Sequence, residues 1–310
     1  MARSKSKDKD SKGRSVDEQP TLFAIGPPVA VEPEVKKPRY PVWTENKAVL
    51  IQRYLRYFVL VTKHGTYIDC FAGPQDPAKP NMWAAKLVVE SQPRWLRQIF
   101  LCEKSVKKVA LLRDLVKAQA PRAKKEPKRA IEVVRADCNA FVPGLLASGK
   151  LKPAEATFCL LDQRTFECDW ATIVGLSRHR TKQYKIELFY FLANSWLERA
   201  IAGVKTKKTE TKVQAWWGRP DWKALRTLSS VERADLVCKR LREELGYKSA
   251  KAWPIYERED GGKIMYFMVH ATDHPEAPKL MARAYNRAVM APEPIEQLTL
   301  ESLLSGAASV

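Results

Sequence analysis

Residues 67–74 read Tyr67-Ile68-Asp69-Cys70-Phe71-Ala72-Gly73-Pro74. Apolar, β-forming residues lead into an acid, and a turn of small residues follows. A short buried strand, an acid at its end and a tight glycine turn together build the crevice at the carboxyl edge of an open α/β sheet, where nucleotides and cofactors bind.

The sequence on either side supplies the sheet. Upstream, a helix is expected from Thr44, an N-cap followed by Glu45, to about Thr62, with Gly65 ending it. Downstream, strands are expected at 98–103, 131–137, 156–162 and 185–192. The last is a near-continuous apolar run, as a strand buried on both faces requires. Helical patterns lie between them, at 84–90, at 106–120 with a 3.6-residue period, and at 170–177. Five strands alternating with helices define an α/β fold with a doubly wound, mostly parallel, Rossmann-like sheet.

After the strand at 185–192 the pattern changes, and residues 194–201 read as helical. Residues 203–247 are charged and rich in tryptophan, with no strand signal. Two further strands, 250–258 and 263–271, flank Asp260-Gly261-Gly262, a sequence suited to a hairpin turn. A last helix begins near residues 273–275 and presents Ala277, Leu280, Met281, Ala284, Tyr285 and Ala288. Seven strands ending in an antiparallel hairpin set this pattern apart from an ordinary dinucleotide-binding domain. Such a hairpin is a feature of class I S-adenosylmethionine (SAM)-dependent methyltransferases. The expected organisation is a disordered tail (1–40), a methyltransferase-like domain (41–292) and a C-terminal tail (293–310).

Four of the five parallel strands end in an acid, and each acid has a role toward SAM. Asp69, with the backbone of Phe71, Ala72 and Gly73, faces the methionine part. Gly73 lets the backbone approach closely. Glu103 offers two oxygens to two ribose hydroxyls. Asp137, beside Cys138, accepts from the adenine amino group. Asp162 orients the methyl acceptor, and Arg164 is placed to clamp a phosphate or carboxylate. The competing reading is that these acids cap the helices that follow them.

The net charge is +19, and only +3 of it belongs to residues 1–40. The basic remainder points to an anionic partner, DNA or RNA. Within 205–226, Trp216, Trp217 and Trp222 interleave with Arg219 and Lys223. That spacing suits stacking on exposed bases, or else a helical lid whose tryptophans are core. The six cysteines contain no CxxC pair, so they are expected to be free thiols in the core. His270 and His274 are expected to serve as core and capping groups rather than metal ligands. No signal peptide or membrane span is evident, and a cytoplasmic location is expected. Gln19-Pro20-Thr21-Leu22-Phe23 and the tail at 297–304 are candidate docking segments.

Four stretches resemble the three-Cys-motif partner proteins. They are residues 67–74; Phe100-Leu101-Cys102-Glu103; Leu160-Leu161-Asp162-Gln163-Arg164-Thr165; and residues 266–275 together with Leu280-Met281-Ala282-Arg283-Ala284-Tyr285. The resemblance implies a bacterial or phage protein with a methyltransferase-like domain. It also implies a genomic neighbour that carries a three-cysteine motif and is similar to radical-SAM enzymes. Two departures matter. Gln75 stands where a glycine often follows the proline. Asp162-Gln163-Arg164-Thr165 replaces the Asp/Asn-Pro-Pro-aromatic signature of amino-group methyltransferases, with Phe166 offset from the aromatic position. No Pro-Cys nucleophile for cytosine C5 attack is present. A non-catalytic scaffold that binds nucleic acid or the partner on the same fold is the alternative to an enzyme.

Overall fold

The computed structural model describes Val42 and residues 44–121, 128–179 and 184–290. Both tails, with their candidate docking segments, lie outside the described residues.

The chain forms β1 (Thr66–Asp69), β2 (Gln98–Glu103), β3 (Ala130–Arg135), β4 (Thr157–Leu161), β5 (Glu187–Ala193), β6 (Ser249–Arg258) and β7 (Gly261–Thr272). The helices are α1 (Lys47–Thr62), α2 (Ala84–Val89), α3 (Val106–Lys117), α4 (Cys138–Ala147), α5 (Trp170–Arg178), α6 (Asn194–Ala202), α7 (Lys207–Trp217), α8 (Ser230–Glu243) and α9 (Ala277–Asn286).

The strands make one seven-stranded sheet in the order β3-β2-β1-β4-β5-β7-β6. The pairs among β1–β5 are parallel, and β7 runs antiparallel to both β5 and β6. This is the class I methyltransferase type of α/β sheet, with its terminal hairpin. Strand order reverses between β1 and β4, so the ligand-binding crevice of such a sheet falls at their carboxyl ends.

Alternation along the strands divides the core. Ile68, Phe100, Cys159, Leu161, Leu188 and Tyr190 pack on one face with α4–α8. Tyr67, Ile99, Leu101, Phe158, Leu160 and Phe189 pack on the other with α1, α2, α3 and α9. All six cysteines are free and buried.

Three turn details differ from expectation. Lys63, at φ 60°, takes the left-handed position after α1, and its N–H donates to Val59 O. Gly65 instead allows a close approach, since a Cβ there would lie 2.7 Å from Phe58 Cε1. Thr44 does not cap α1. Its hydroxyl donates to Tyr256 O at 3.3 Å from a short 3-10 turn ahead of the helix. In the hairpin, Arg258 pairs with Gly261, so Glu259 and Asp260 form the turn and both glycines, at positive φ, open β7.

Candidate cofactor and substrate cavity

A cavity of about 710 Å³ opens at the carboxyl ends of β1, β2 and β4. Asp69, Glu103, Asp137 and Asp162 all line it, together with Phe71, Ala72, Gly73 and Cys138. The topology therefore gathers the four strand-end acids into one site, and their individual surroundings differ.

Asp69 is 1% exposed. It accepts from Tyr67 Oη at 2.9 Å and from the Phe71 N–H at 3.0 Å. Burial pushes its carboxyl up to about 7 against those two hydrogen bonds, and the Asp162 and Glu103 carboxylates push the same way. Glu103 Oε2 accepts from the Gly73 N–H and Oε1 from the Ser105 N–H. Each oxygen keeps a further lone pair, and Glu103 lines the cavity.

Gly73 is required by this contact more than by a ligand. A Cβ would lie 2.3 Å from Glu103 Oε2 and 2.8 Å from Lys108 Cβ. The Ala72 N–H donates to Cys102 O, and Ala72 O accepts from Trp83 Nε1 at 2.6 Å, so the loop's backbone is tied down internally. Trp83 also lines the cavity. The sequence reading missed it, because nothing local links residue 83 to residue 72.

Asp137 acts as a helix cap. Its Oδ1 accepts from the Asn139 N–H at the start of α4, and Oδ2 from Lys104 Nζ at 3.1 Å. Although burial opposes it, these donors hold the carboxyl below its ordinary range. Cys138 opens α4 and is buried.

Asp162 is held by a residue far away in sequence. Lys47 Nζ, on the first residue of α1, lies 2.8 Å from Oδ1 and 2.7 Å from Oδ2. The Lys47 and Asp162 side chains are 6% and 13% exposed. The ammonium also lies 4.8 Å from the Phe191 ring centroid and 5.0 Å from that of Tyr266. Only the tertiary fold brings Lys47 to Asp162, 115 positions away.

The element after Asp162 is pinned by side chains where the amino-group signature has prolines. Gln163 Oε1 accepts from the Glu167 and Cys168 N–H groups. Asn139 donates to Glu167 O and accepts from the Asp169 N–H and the Thr172 hydroxyl. Phe166 packs on Trp216 with ring centroids 5.1 Å apart and is largely buried, while still bordering the cavity. The Arg164 N–H donates to Glu167 Oε2, and its side chain is exposed at the cavity.

Burial decides between the two readings of the tryptophan-rich segment. Trp216, Trp217 and Trp222 are 2–3% exposed and belong to the core, so no base can stack on them. The Arg240 guanidinium lies between the rings of Trp170 and Trp217, 3.8 and 4.2 Å from their centroids. Arg219 pairs with Glu244, and Lys223 with Glu210. What faces the cavity is the other side of α7: Lys208, Thr211, Lys212 and Ala215. With Lys104, Lys108 and Arg164, they place cations around an acidic interior.

A second cavity, about 730 Å³, opens at the opposite edge, between α1, the starts of β4 and β5, and the end of β7. There the buried Glu187 accepts from the Tyr54 hydroxyl, and its Oε1 lies 2.7 Å from His270 Nε2. His274 Nδ1 accepts from the Glu276 N–H beside α9. Both histidines thus do core and capping work. Among the described residues no cluster of His, Cys, Asp and Glu has the makings of a metal site. No helix among them is long and apolar enough to cross a membrane.

No family model matches the chain, and no curated protein does. Among solved structures, it is similar to the methyltransferase domain of bacterial CtHen1-C, with 14% identity, 72% of this chain and 98% of that chain covered, and a TM-score of 0.39. It is similar to Trm1 from Pyrococcus horikoshii in complex with S-adenosyl-L-methionine, with 13% identity, 75% and 56% covered, and a TM-score of 0.42. The CurJ carbon methyltransferase gives 10% identity, 73% and 54% covered, and a TM-score of 0.41. The fold assignment rests on the strand order and the hairpin.

Proposed function

We propose that the protein binds SAM in the cavity at the ends of β1, β2 and β4 and transfers its methyl group to a nucleic acid. The observation that carries this reading is the gathering of Asp69, Glu103, Asp137 and Asp162 in one cavity at the point where strand order reverses. The fit is chemical. SAM carries an ammonium, a sulfonium, a diol and an exocyclic amine, all of which seek acceptors or negative charge, and the interior supplies four carboxylates. The Lys and Arg groups at the rim suit phosphates.

When bound, SAM supplies an electrophilic methyl group. The residues of this chain position the reactants. Asp69 faces the ammonium, and Glu103 meets the ribose hydroxyls with its remaining lone pairs. Asp137 and the start of α4 border the base. Asp162, fixed by Lys47, accepts a proton or hydrogen bond from the acceptor group.

The same geometry gives weight to the non-catalytic reading, because Lys47 engages both oxygens of Asp162. A scaffold would bind SAM and nucleic acid without turnover. The motif resemblance further proposes a three-Cys-motif, radical-SAM-like protein as partner, which co-expression and co-elution of the two chains would test.

The deciding experiment is calorimetric titration of SAM into wild type, Asp69→Ala and Glu103→Ala, paired with transfer of labelled methyl to RNA and DNA. Binding is expected in wild type and a loss of about tenfold or more in each variant, as hydrogen bonds to charged groups imply. No heat in wild type overturns the reading. Binding without transfer leaves the scaffold form.

A further inference from the structure

Among the described residues, Trp196 is the tryptophan whose ring is mainly in water, 55% exposed. It lies in the first turn of α6, which starts at Asn194 directly after β5 ends at Ala193. Trp196 therefore sits at the same edge of the sheet as the acidic cavity. Leu197 and Ile201 anchor α6 in the core, and the helical period turns Trp196 and Arg199 outward together. The Arg199 guanidinium lies 4.8 Å from the Trp196 ring centroid.

The register connects the start of α6 to Asp162. Leu161 pairs with Tyr190, which sets Asp162 beside Phe191. Lys47, bound to Asp162, lies over Phe191 and Tyr266, and Tyr266 pairs with Ala193, the residue before α6. On the other side, α6 is followed by exposed Lys205, Lys207 and Lys208, and then Lys212. Lys208 and Lys212 line the cavity.

We infer that Trp196, backed by Arg199, is the platform on which an unpaired base of a single-stranded nucleic acid stacks, with the α7 lysines on its phosphates. Every base has a π face, so an exposed indole beside a row of cations takes single strands with little regard to sequence. A paired duplex keeps its base faces covered and gains only the phosphate contacts. The inference rests on the nucleic-acid reading above.

The test is fluorescence anisotropy of a labelled oligonucleotide, single-stranded and as its blunt duplex, with the full chain at fixed salt. Wild type is expected to favour the single strand. Trp196→Ala should weaken single-strand binding about tenfold or more and leave the duplex unchanged, while Trp196→Phe stays close to wild type. SAM affinity serves as the folding control and should be equal in all three. Unaltered single-strand binding by Trp196→Ala overturns the platform but leaves the nucleic-acid reading standing. Equal losses on single strand and duplex also overturn it. Failure of wild type to bind either form overturns the nucleic-acid reading and the platform with it.

Discussion

Asp69 and Lys47 carry the most chemistry per residue. Asp69 titrates near 7 because burial outweighs its two donors. In the ligand-free protein it is mostly protonated below that pH. A cation placed against it favours the ionised form, so binding releases a proton. SAM affinity should therefore rise with pH up to about 7, by at most about tenfold per unit, and then level off. Titrations between pH 5.5 and 8 in two buffers of different ionisation heat would show it, and Asp69→Asn should remove both the slope and the buffer dependence. Affinity that does not change with pH in wild type would exclude Asp69 as the cation's partner. The folded-state pKa is raised from 3.8. Stability of the free protein is hence lost, not gained, as pH climbs from about 4 to 7, by up to about 4 kcal/mol. Lys47 acts in the opposite way, neutralising a buried charge. Lys47→Met leaves Asp162 unpaired and should cost about 3–5 kcal/mol in denaturant unfolding, with Lys47→Met combined with Asp162→Asn recovering much of it. Equal stability of single and double variants would mean that the pair is not coupled.

At the scale of elements, α7 and the β1 turn show how much the sequence disclosed. The alternating apolar strands, the acids at their ends and the glycine-rich hairpin are local signals, and they sufficed for strand order class and cavity position. The use of the tryptophans was not local. Trp216 and Trp222 belong to the core on the α4–α8 side of the sheet, and only neighbours in space, such as Phe166 against Trp216, reveal it. Lys47 and Trp83 reach the site from other elements and carry no sequence signature of doing so. Gly73 was legible as a tight spot, though the crowding atoms belong to Glu103 and Lys108. Trp216→Ala should therefore cost about 3–5 kcal/mol by removing a core ring, read as a lowered denaturation midpoint. A change below 1 kcal/mol (roughly the scale of a surface substitution) would return Trp216 to the surface. Gly73→Ala should displace the turn, costing roughly 1–3 kcal/mol and weakening SAM binding more than nucleic-acid binding.

Across the whole molecule, charge is segregated by depth. Outside residues 1–40 the chain carries an excess of +16, and lysines and Arg164 line a cavity whose floor is acidic. Depth separates two ligands of opposite character: a compact cation is drawn inward to the carboxylates, and a polyanion is held at the rim. Four cavity-lining cations, Lys108, Arg164, Lys208 and Lys212, are available to phosphates, while Lys104 is engaged by Asp137. Each phosphate neutralised on a single strand contributes about 0.7 to the slope of log affinity against log salt, so all four give roughly −2.8. Lys208→Glu with Lys212→Glu removes two contacts and should bring the slope to roughly −1.4, with SAM binding little changed because the carboxylate floor is untouched. Measured between 50 and 200 mM salt, about those limits being usual for such titrations, a flat wild-type profile would place the basic surface outside nucleic-acid binding. An equal slope in the double variant would move the phosphate track away from α7. The slope, more than the affinity at any one salt concentration, separates a protein that follows a phosphate backbone from one that is merely basic.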